Sequence, residues 1–245
     1  MLAIIGGSGL TQLENLEITH RLVARTPYGE PSGPLAFGRL CGRPIVFIAR
    51  HGQGHTIPPH EVNYRANLWA LREQKVSGVV AIASVGGIRA DLGPGTIAVP
   101  HQIIDYTWGR KHTFFDGGAP VTHVDFTEPY DPGLRRLFIE AARECSEFVS
   151  SEAIYAATQG PRLETAAEIT RLARDGADIV GMTGMPEAAL AREINLAYAT
   201  IAVVVNHAAG RGESLHGIRM ESIEDCLQKT MDRVRELLVR IVAKA

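Results

Sequence analysis

Six short apolar runs constrain this 245-residue chain more than any other feature; they occupy residues 2–5, 45–49, 79–84, 96–99, 178–180 and 200–205. They are rich in β-branched residues and continuous rather than alternating, the pattern of strands covered on both faces. Between them lie stretches with helical spacing at 61–74, 134–145, 164–174, 186–196 and 221–242. The first carries Val62, Asn67 and Leu71. The second puts Leu134, Leu137, Phe138, Ala141, Ala142 and Cys145 on one face, after a Pro132-Gly133 start signal. The fourth has Pro186 at its first position. The last carries a stripe of Ile223, Leu227, Met231, Val234, Leu238 and Ile241. Strands alternating with helices predict an α/β fold with a mixed or mostly parallel sheet.

No repeat, low-complexity tract or linker divides the chain, so one domain over 1–245 is predicted. Residues 105–132, rich in Gly, Pro, His and aromatics, form the longest stretch without periodicity. Long irregular segments in compact domains are usually functional or interface-forming.

A hydrophobic share of 45% and a charged share of 21% are those of a globular chain rather than a disordered one. A net charge of -2 gives no electrostatic case for nucleic acid or an anionic membrane as partner. Any bound phosphate must therefore be held by local geometry. No stretch of about 20 apolar residues is present to span a membrane, and the N-terminus lacks a basic n-region. Cys41, Cys145 and Cys226 form no C-x-x-C pair, so free thiols in a cytoplasmic protein are expected.

Four turns at run ends are candidates for anion binding. Gly6-Gly7-Ser8-Gly9 follows the first run; glycines let the backbone approach an anion and Ser8 adds a hydroxyl. It matches neither the Rossmann fingerprint nor the P-loop, and by itself reads more readily as a tight turn than as an anion site. Arg50-His51-Gly52-Gln53-Gly54-His55 follows the second, with Arg50 offering a planar fork of donors suited to phosphate. Ser84-Val85-Gly86-Gly87 ends the third, where α/β sheets bind ligands beyond strand carboxyl ends. Gly181-Met182-Thr183 ends the fifth and leads into a helix N-terminus, where Thr183 serves either an anion or a plain N-cap.

In this order the turns resemble those of the trimeric purine nucleoside phosphorylase and methylthioadenosine phosphorylase family. The resemblance runs through Ile5-Gly6-Gly7-Ser8-Gly9-Leu10, Arg50-His51-Gly52, His55-Thr56-Ile57, Val62-Asn63-Tyr64-Arg65-Ala66-Asn67, Leu92-Gly93-Pro94-Gly95, Gln159-Gly160-Pro161-Arg162 and Pro186-Glu187-Ala188. It implies a single α/β domain with a central mixed, distorted and partly barrel-like sheet flanked by helices, assembled as a homotrimer. It implies a phosphate site of Ser8, Arg50, His51, Ser84 with the Val85 backbone, and Thr183, with Met182 against the ribose. Inorganic phosphate enters as co-substrate; no metal and no organic cofactor is expected.

The base readers depart from the methylthioadenosine branch, which resembles an Asp-Tyr-Asp run where this chain has Asn206-His207-Ala208. An asparagine amide both donates and accepts, so Asn206 suits O6 and a protonated N7 of a 6-oxopurine. After Leu163 comes Glu164, similar to the 6-oxopurine branch, where a carboxylate accepts the N1–H that adenine lacks. The competing reading of Glu164 is a first-turn helix residue held by the dipole. Met220 and Ile223 fall near the position where the 6-oxopurine branch has a histidine for the 5′-hydroxyl, and His216 lies earlier. An apolar Met220/Ile223 wall suits a methylthio group, although both residues also fit the start of the final helix. His123 resembles a residue given by the neighbouring subunit. The expected activity is phosphorolysis of a 6-oxopurine nucleoside with a 5′-methylthio sugar, in purine salvage. The alternatives are inosine/guanosine phosphorolysis, methylthioadenosine cleavage, and a non-catalytic purine-binding trimer.

Overall fold

The structure is a computed structural model, and it describes residues 1–10, 13, 16–118 and 120–245. Residue 119, inside the expected irregular stretch, lies outside the described residues. In chain order the elements are β1 (Leu2–Gly6), β2 (Glu17–Leu22), β3 (Leu35–Leu40), β4 (Arg43–Ala49), α1 (Tyr64–Glu73), β5 (Gly78–Gly87), β6 (Ile97–Ala98) and β7 (Gln102–Asp105). They continue with α2 (Pro132–Glu144), β8 (Val149–Ser150), β9 (Ile154–Ala157), α3 (Ala166–Arg174), β10 (Ile179–Gly181), α4 (Gly184–Glu193), β11 (Tyr198–His207) and α5 (Met220–Lys244).

All six apolar runs are strands of one mixed sheet, β1, β4, β5, β6, β10 and β11, and all five helical stretches are helices. β1, β5 and the second half of β4 are almost wholly buried, as continuous apolar runs require. The run at 96–99 narrows to two residues of β6. Among the described residues five further strands, β2, β3, β7, β8 and β9, lie outside those runs; of these β9 has an apolar run of its own, Ala153-Ile154-Tyr155-Ala156-Ala157, that the sequence reading passed over. β2 is exposed over most of its length and pairs antiparallel with β3.

β5 is the spine. Its first half, Gly78–Ala81, pairs parallel with β1, its last two residues pair antiparallel with β10, and β11 runs parallel along its other edge. Between its β1 and β10 pairings, residues 82–85 have no strand partner on that edge among the described residues. The sheet forks there, and the fork opens the space described below. A bulge between Val204 and Asn206 shifts the β11 register near the same level.

Two helix starts differ from expectation. α1 begins at Tyr64, capped by the Asn63 side chain accepting from the Ala66 amide, so buried Val62 precedes the helix. α3 begins at Ala166: Thr165 is its N-cap, in a capping box with Glu168. At α4, Met185 has an extended backbone (φ -119°, ψ 142°), so regular helix begins at Pro186 as expected. Along α5, Met231, Val234, Leu238 and Ile241 are fully buried, while Ile223 and Leu227 at its start are half-buried.

Candidate active site

Five strand ends meet at the fork and enclose a cavity of about 580 Å³. Gly7 and Ser8 arrive from β1, Arg50 and His51 from β4, Ser84 and Val85 from β5, Met182 and Thr183 from β10, and Asn206 from β11. Leu163 and Glu164 close one side, and Met220 and Ile223, from the first turn of α5, close another. The phosphate, base and sugar residues expected from the sequence line this space except His123, which lies on an exposed stretch of the surface.

The Gly7 turn is built for close approach. A Cβ at Gly7 would sit 2.5 Å from the Ile82 carbonyl oxygen and 3.1 Å from Arg50 Nη1. Ser8 Oγ lies 3.5 Å from His55 Nε2, and Ser84 Oγ reaches the Ser8 carbonyl at the same distance. Both contacts are at the limit of hydrogen bonding, so both hydroxyls keep capacity for another partner.

Arg50 behaves differently from the free fork expected of it. It is 1% exposed, and its Nε and Nη2 each donate at 2.7 Å to the Glu187 carboxylate, while Nη1 donates at 2.8 Å to the Ile82 carbonyl. Tyr198 adds a third bond to Glu187 at 2.8 Å. Burial pulls the guanidinium down, but Glu187 more than reverses this and holds it above its ordinary value. The bidentate face of Arg50 is thus engaged by Glu187, and only the second hydrogens on Nη1 and Nη2 remain for a ligand.

His51 Nδ1 is 2.8 Å from the Ile57 carbonyl oxygen, which can only accept. The proton therefore sits on Nδ1 and leaves a lone pair on Nε2. Burial, then the neighbouring Arg50 cation, lowers His51 from 6.5 to about 4 against the opposing effect of the Ile57 bond. At neutral pH its ring is uncharged.

Thr183 stands ahead of the kink at Met185, three residues before regular helix begins, and its side chain makes no cap hydrogen bond. That removes the plain-cap reading and leaves the hydroxyl at the cavity wall. Glu164 lies just before the N-cap of α3, outside the helix, so the first-turn reading also fails. Its Oε1 accepts from the Thr158 hydroxyl at 2.6 Å, leaving Oε2 for another donor. Asn206 donates one Nδ2 hydrogen to the His207 carbonyl at 2.6 Å, which leaves its other N–H and its Oδ1. The bulge in β11 sets it at the cavity. Met182 packs over Gly160, whose φ of +62° disfavours a side chain; a Cβ there would lie 2.4 Å from Met182 Sδ, so Met182 would have to move.

The wall near α5 is apolar. Ile218 and Leu227 extend the Met220 and Ile223 surface, and Met220 is 59% exposed at its mouth. Sequence reasoning missed Ile218 and Thr158 at the site and Glu187 behind it. Leu227 was read only as part of a core stripe, and nothing local marked Glu187 or Thr158 as partners of Arg50 and Glu164.

A model of the phosphorylase superfamily matches residues 1–243. The chain belongs to the phosphorylase superfamily. Among its superfamily relatives, a protein of Pseudomonas syringae pv. tomato described as a probable S-methyl-5′-thioinosine phosphorylase is 54% identical over 243 residues, 98% of each chain. A 6-oxopurine nucleoside phosphorylase of Pyrococcus furiosus is 43% identical over 247 aligned residues, covering 98% of this chain and 91% of that one. In structure, a methylthioadenosine phosphorylase from Schistosoma mansoni in complex with adenine superposes with a TM-score of 0.93 at 35% identity, over 99% of this chain and 90% of that one. The α/β fold with its mixed sheet is thus a nucleoside phosphorylase fold.

Proposed function

We propose that this phosphorylase cleaves S-methyl-5′-thioinosine with inorganic phosphate, giving hypoxanthine and 5-methylthioribose 1-phosphate. The observation that carries the reading is the placement of Asn206 and Glu164, each with unused hydrogen-bonding capacity, on the same cavity as the four anion turns. The Pseudomonas relative's description and the apolar α5 wall support the methylthio sugar.

In the proposed reaction a phosphate oxygen attacks C1′ as the C1′–N9 bond breaks, and the bond electrons pass to the purine. Asn206 receives the developing base through O6 and N7, and Glu164 Oε2 accepts N1–H. Ser8, Ser84, Thr183, the Val85 amide and the remaining Arg50 hydrogens hold phosphate. Fixed donors aimed at developing charge are usually the largest catalytic contribution. A neutral His51 offers an acceptor rather than a donor, which matches a phosphate oxygen still carrying its proton. Met182 packs on the sugar. No metal or organic cofactor enters the scheme.

We place the protein in the cytoplasm as a homotrimer in which His123 of one subunit reaches its neighbour's cavity. The exposure of residues 121–125 and the absence of His123 from its own cavity support this assignment. No helix among the described residues is long and apolar enough to cross a membrane.

One observation favours a second reading, inosine or guanosine phosphorolysis. Met220 is more than half exposed, so water at the cavity mouth can satisfy a 5′-hydroxyl. The test is phosphate-dependent cleavage of methylthioinosine, methylthioadenosine, inosine and guanosine compared by kcat/KM. Preference for methylthioinosine is expected. Preference for methylthioadenosine overturns the base assignment, and equal turnover of inosine overturns the sugar assignment.

A further inference from the structure

The irregular stretch between β7 and α2 carries a buried cation that does not line the cavity. Arg110 is 8% exposed, and its guanidinium carbon lies 5.6 Å from the centre of the Tyr64 ring. Nη1 donates to the Met185 carbonyl at 2.6 Å, the Met182 carbonyl at 2.8 Å and Tyr64 Oη at 3.3 Å. Nη2 donates to the Gln159 carbonyl at 2.8 Å and the Thr158 carbonyl at 3.3 Å, and Nε to Gln159 Oε1 at 3.2 Å. None of these acceptors is a carboxylate. A buried charge satisfied only by neutral oxygens is costly to maintain, and an arrangement that retains one invites a role beyond stability.

The acceptors come from three separate segments, and each leads directly into a cavity wall. Residues 158–159 precede Glu164, which reads the base in the proposed reaction. The carbonyls of Met182 and Met185 flank Thr183, on the sugar and phosphate side. Tyr64 Oη in turn donates to the Pro59 carbonyl at 2.9 Å, and Pro59 lines the cavity beside the His51 turn. One planar fork therefore ties the base wall to the sugar–phosphate wall. Lysine, with three donors on one nitrogen, cannot span the same acceptors.

We propose that Arg110 is a positioning residue for phosphorolysis, fixing the separation between the Glu164 wall and the Thr183 wall. The inference rests on the functional reading above. Either wall alone can still bind its own part of the substrates when Arg110 is lost. The concerted step needs C1′ and the phosphate oxygen in register, and an error near 1 Å there costs about a hundredfold. The effect therefore falls on kcat more than on either KM.

The test compares Arg110→Gln, Arg110→Lys, Arg110→Ala and Tyr64→Phe with the wild type, measuring kcat, KM for nucleoside and for phosphate, and Tm. Assays run well below each Tm. Arg110→Gln is expected to lose about ten- to a hundredfold in kcat with each KM within a few-fold. Arg110→Lys should recover only a minor part, and millimolar guanidinium ion should raise kcat of Arg110→Ala. Tyr64→Phe keeps the cation and removes one tie, so a several-fold loss of kcat is expected even if the arginine variants do not fold. Folded variants with a lowered Tm but wild-type kcat would show a purely structural role and overturn the proposal, as would an unchanged kcat in Tyr64→Phe. If the wild type releases no base from any nucleoside in phosphate, the functional reading itself falls, and the proposal with it.

Discussion

Replacing Glu187 with glutamine tests the description of Arg50 as a cation shared between the fold and its ligand. Both side chains are 1% exposed, and two bonds of 2.7 Å join them, with Tyr198 on the same carboxylate. Glutamine keeps the shape, removes the negative charge and turns one of its own donors toward an arginine donor. Breaking a buried ion pair from one side costs about 3–5 kcal/mol, because the remaining charge is left uncompensated. Unfolding entropy of about 2.1 cal/mol/K per residue gives roughly 0.5 kcal/mol/K for a chain of 245 residues. The expected fall in Tm is thus about 6–10 °C. Differential scanning calorimetry with and without phosphate adds a second readout. In the variant, phosphate meets an arginine whose charge is no longer neutralised, so the phosphate-induced rise in Tm should exceed that of the wild type. A Tm drop under about 2 °C, with an unchanged phosphate effect, would refute the reasoning. The double variant Arg50→Met, Glu187→Leu separates the two roles. Apolar replacement of a buried pair is often neutral or stabilising, so Tm should return toward wild type while the phosphate effect falls below that of the wild type.

Three other outcomes follow from the geometry. Because His51 is held near 4 in the fold against an ordinary 6.5, the folded state binds fewer protons between these values. Its contribution to stability is therefore present above pH 6.5 and lost as pH falls toward 4. Urea denaturation across that window should show a shallower decline in His51→Asn, and an identical profile would count against the neutral buried ring. Asn206→Asp should raise the kcat/KM ratio of methylthioadenosine to methylthioinosine by about tenfold or more, since a carboxylate cannot donate to O6. Full activity with unaltered selectivity would remove Asn206 as the base reader. Thr165→Ala removes the α3 cap, worth about 1 kcal/mol, so a Tm drop near 2 °C is expected. It should also lower kcat/KM, because Glu164 enters from the residue just before the cap; a change in Tm alone would show that the cap does not position Glu164.

The strand–turn order was legible without coordinates because its signals are local. A continuous apolar run with a glycine turn at its end is encoded within about ten residues, and so are Asn206 and Glu164 as departures from a familiar pattern. The missed strands show the limit of that reading. β2, Glu17–Leu22, is polar and exposed, and only its partner β3 makes it a strand. α3 starts at Ala166 rather than Glu164 because Thr165, bonded reciprocally with Glu168, caps it, which outcompetes the general preference for an acid in the first turn.

By itself, then, the sequence determined which hydroxyls, histidines and amides would stand at strand ends. Tertiary structure decided which of their hydrogen bonds remain free. Arg50 is engaged by Glu187 from 137 residues away, and Arg110 gathers carbonyls from segments 48 to 75 residues distant. Such pairings leave no periodic trace, since a buried charge takes whichever oxygens the fold brings within hydrogen-bond reach, and only packing of the forked sheet brings these together.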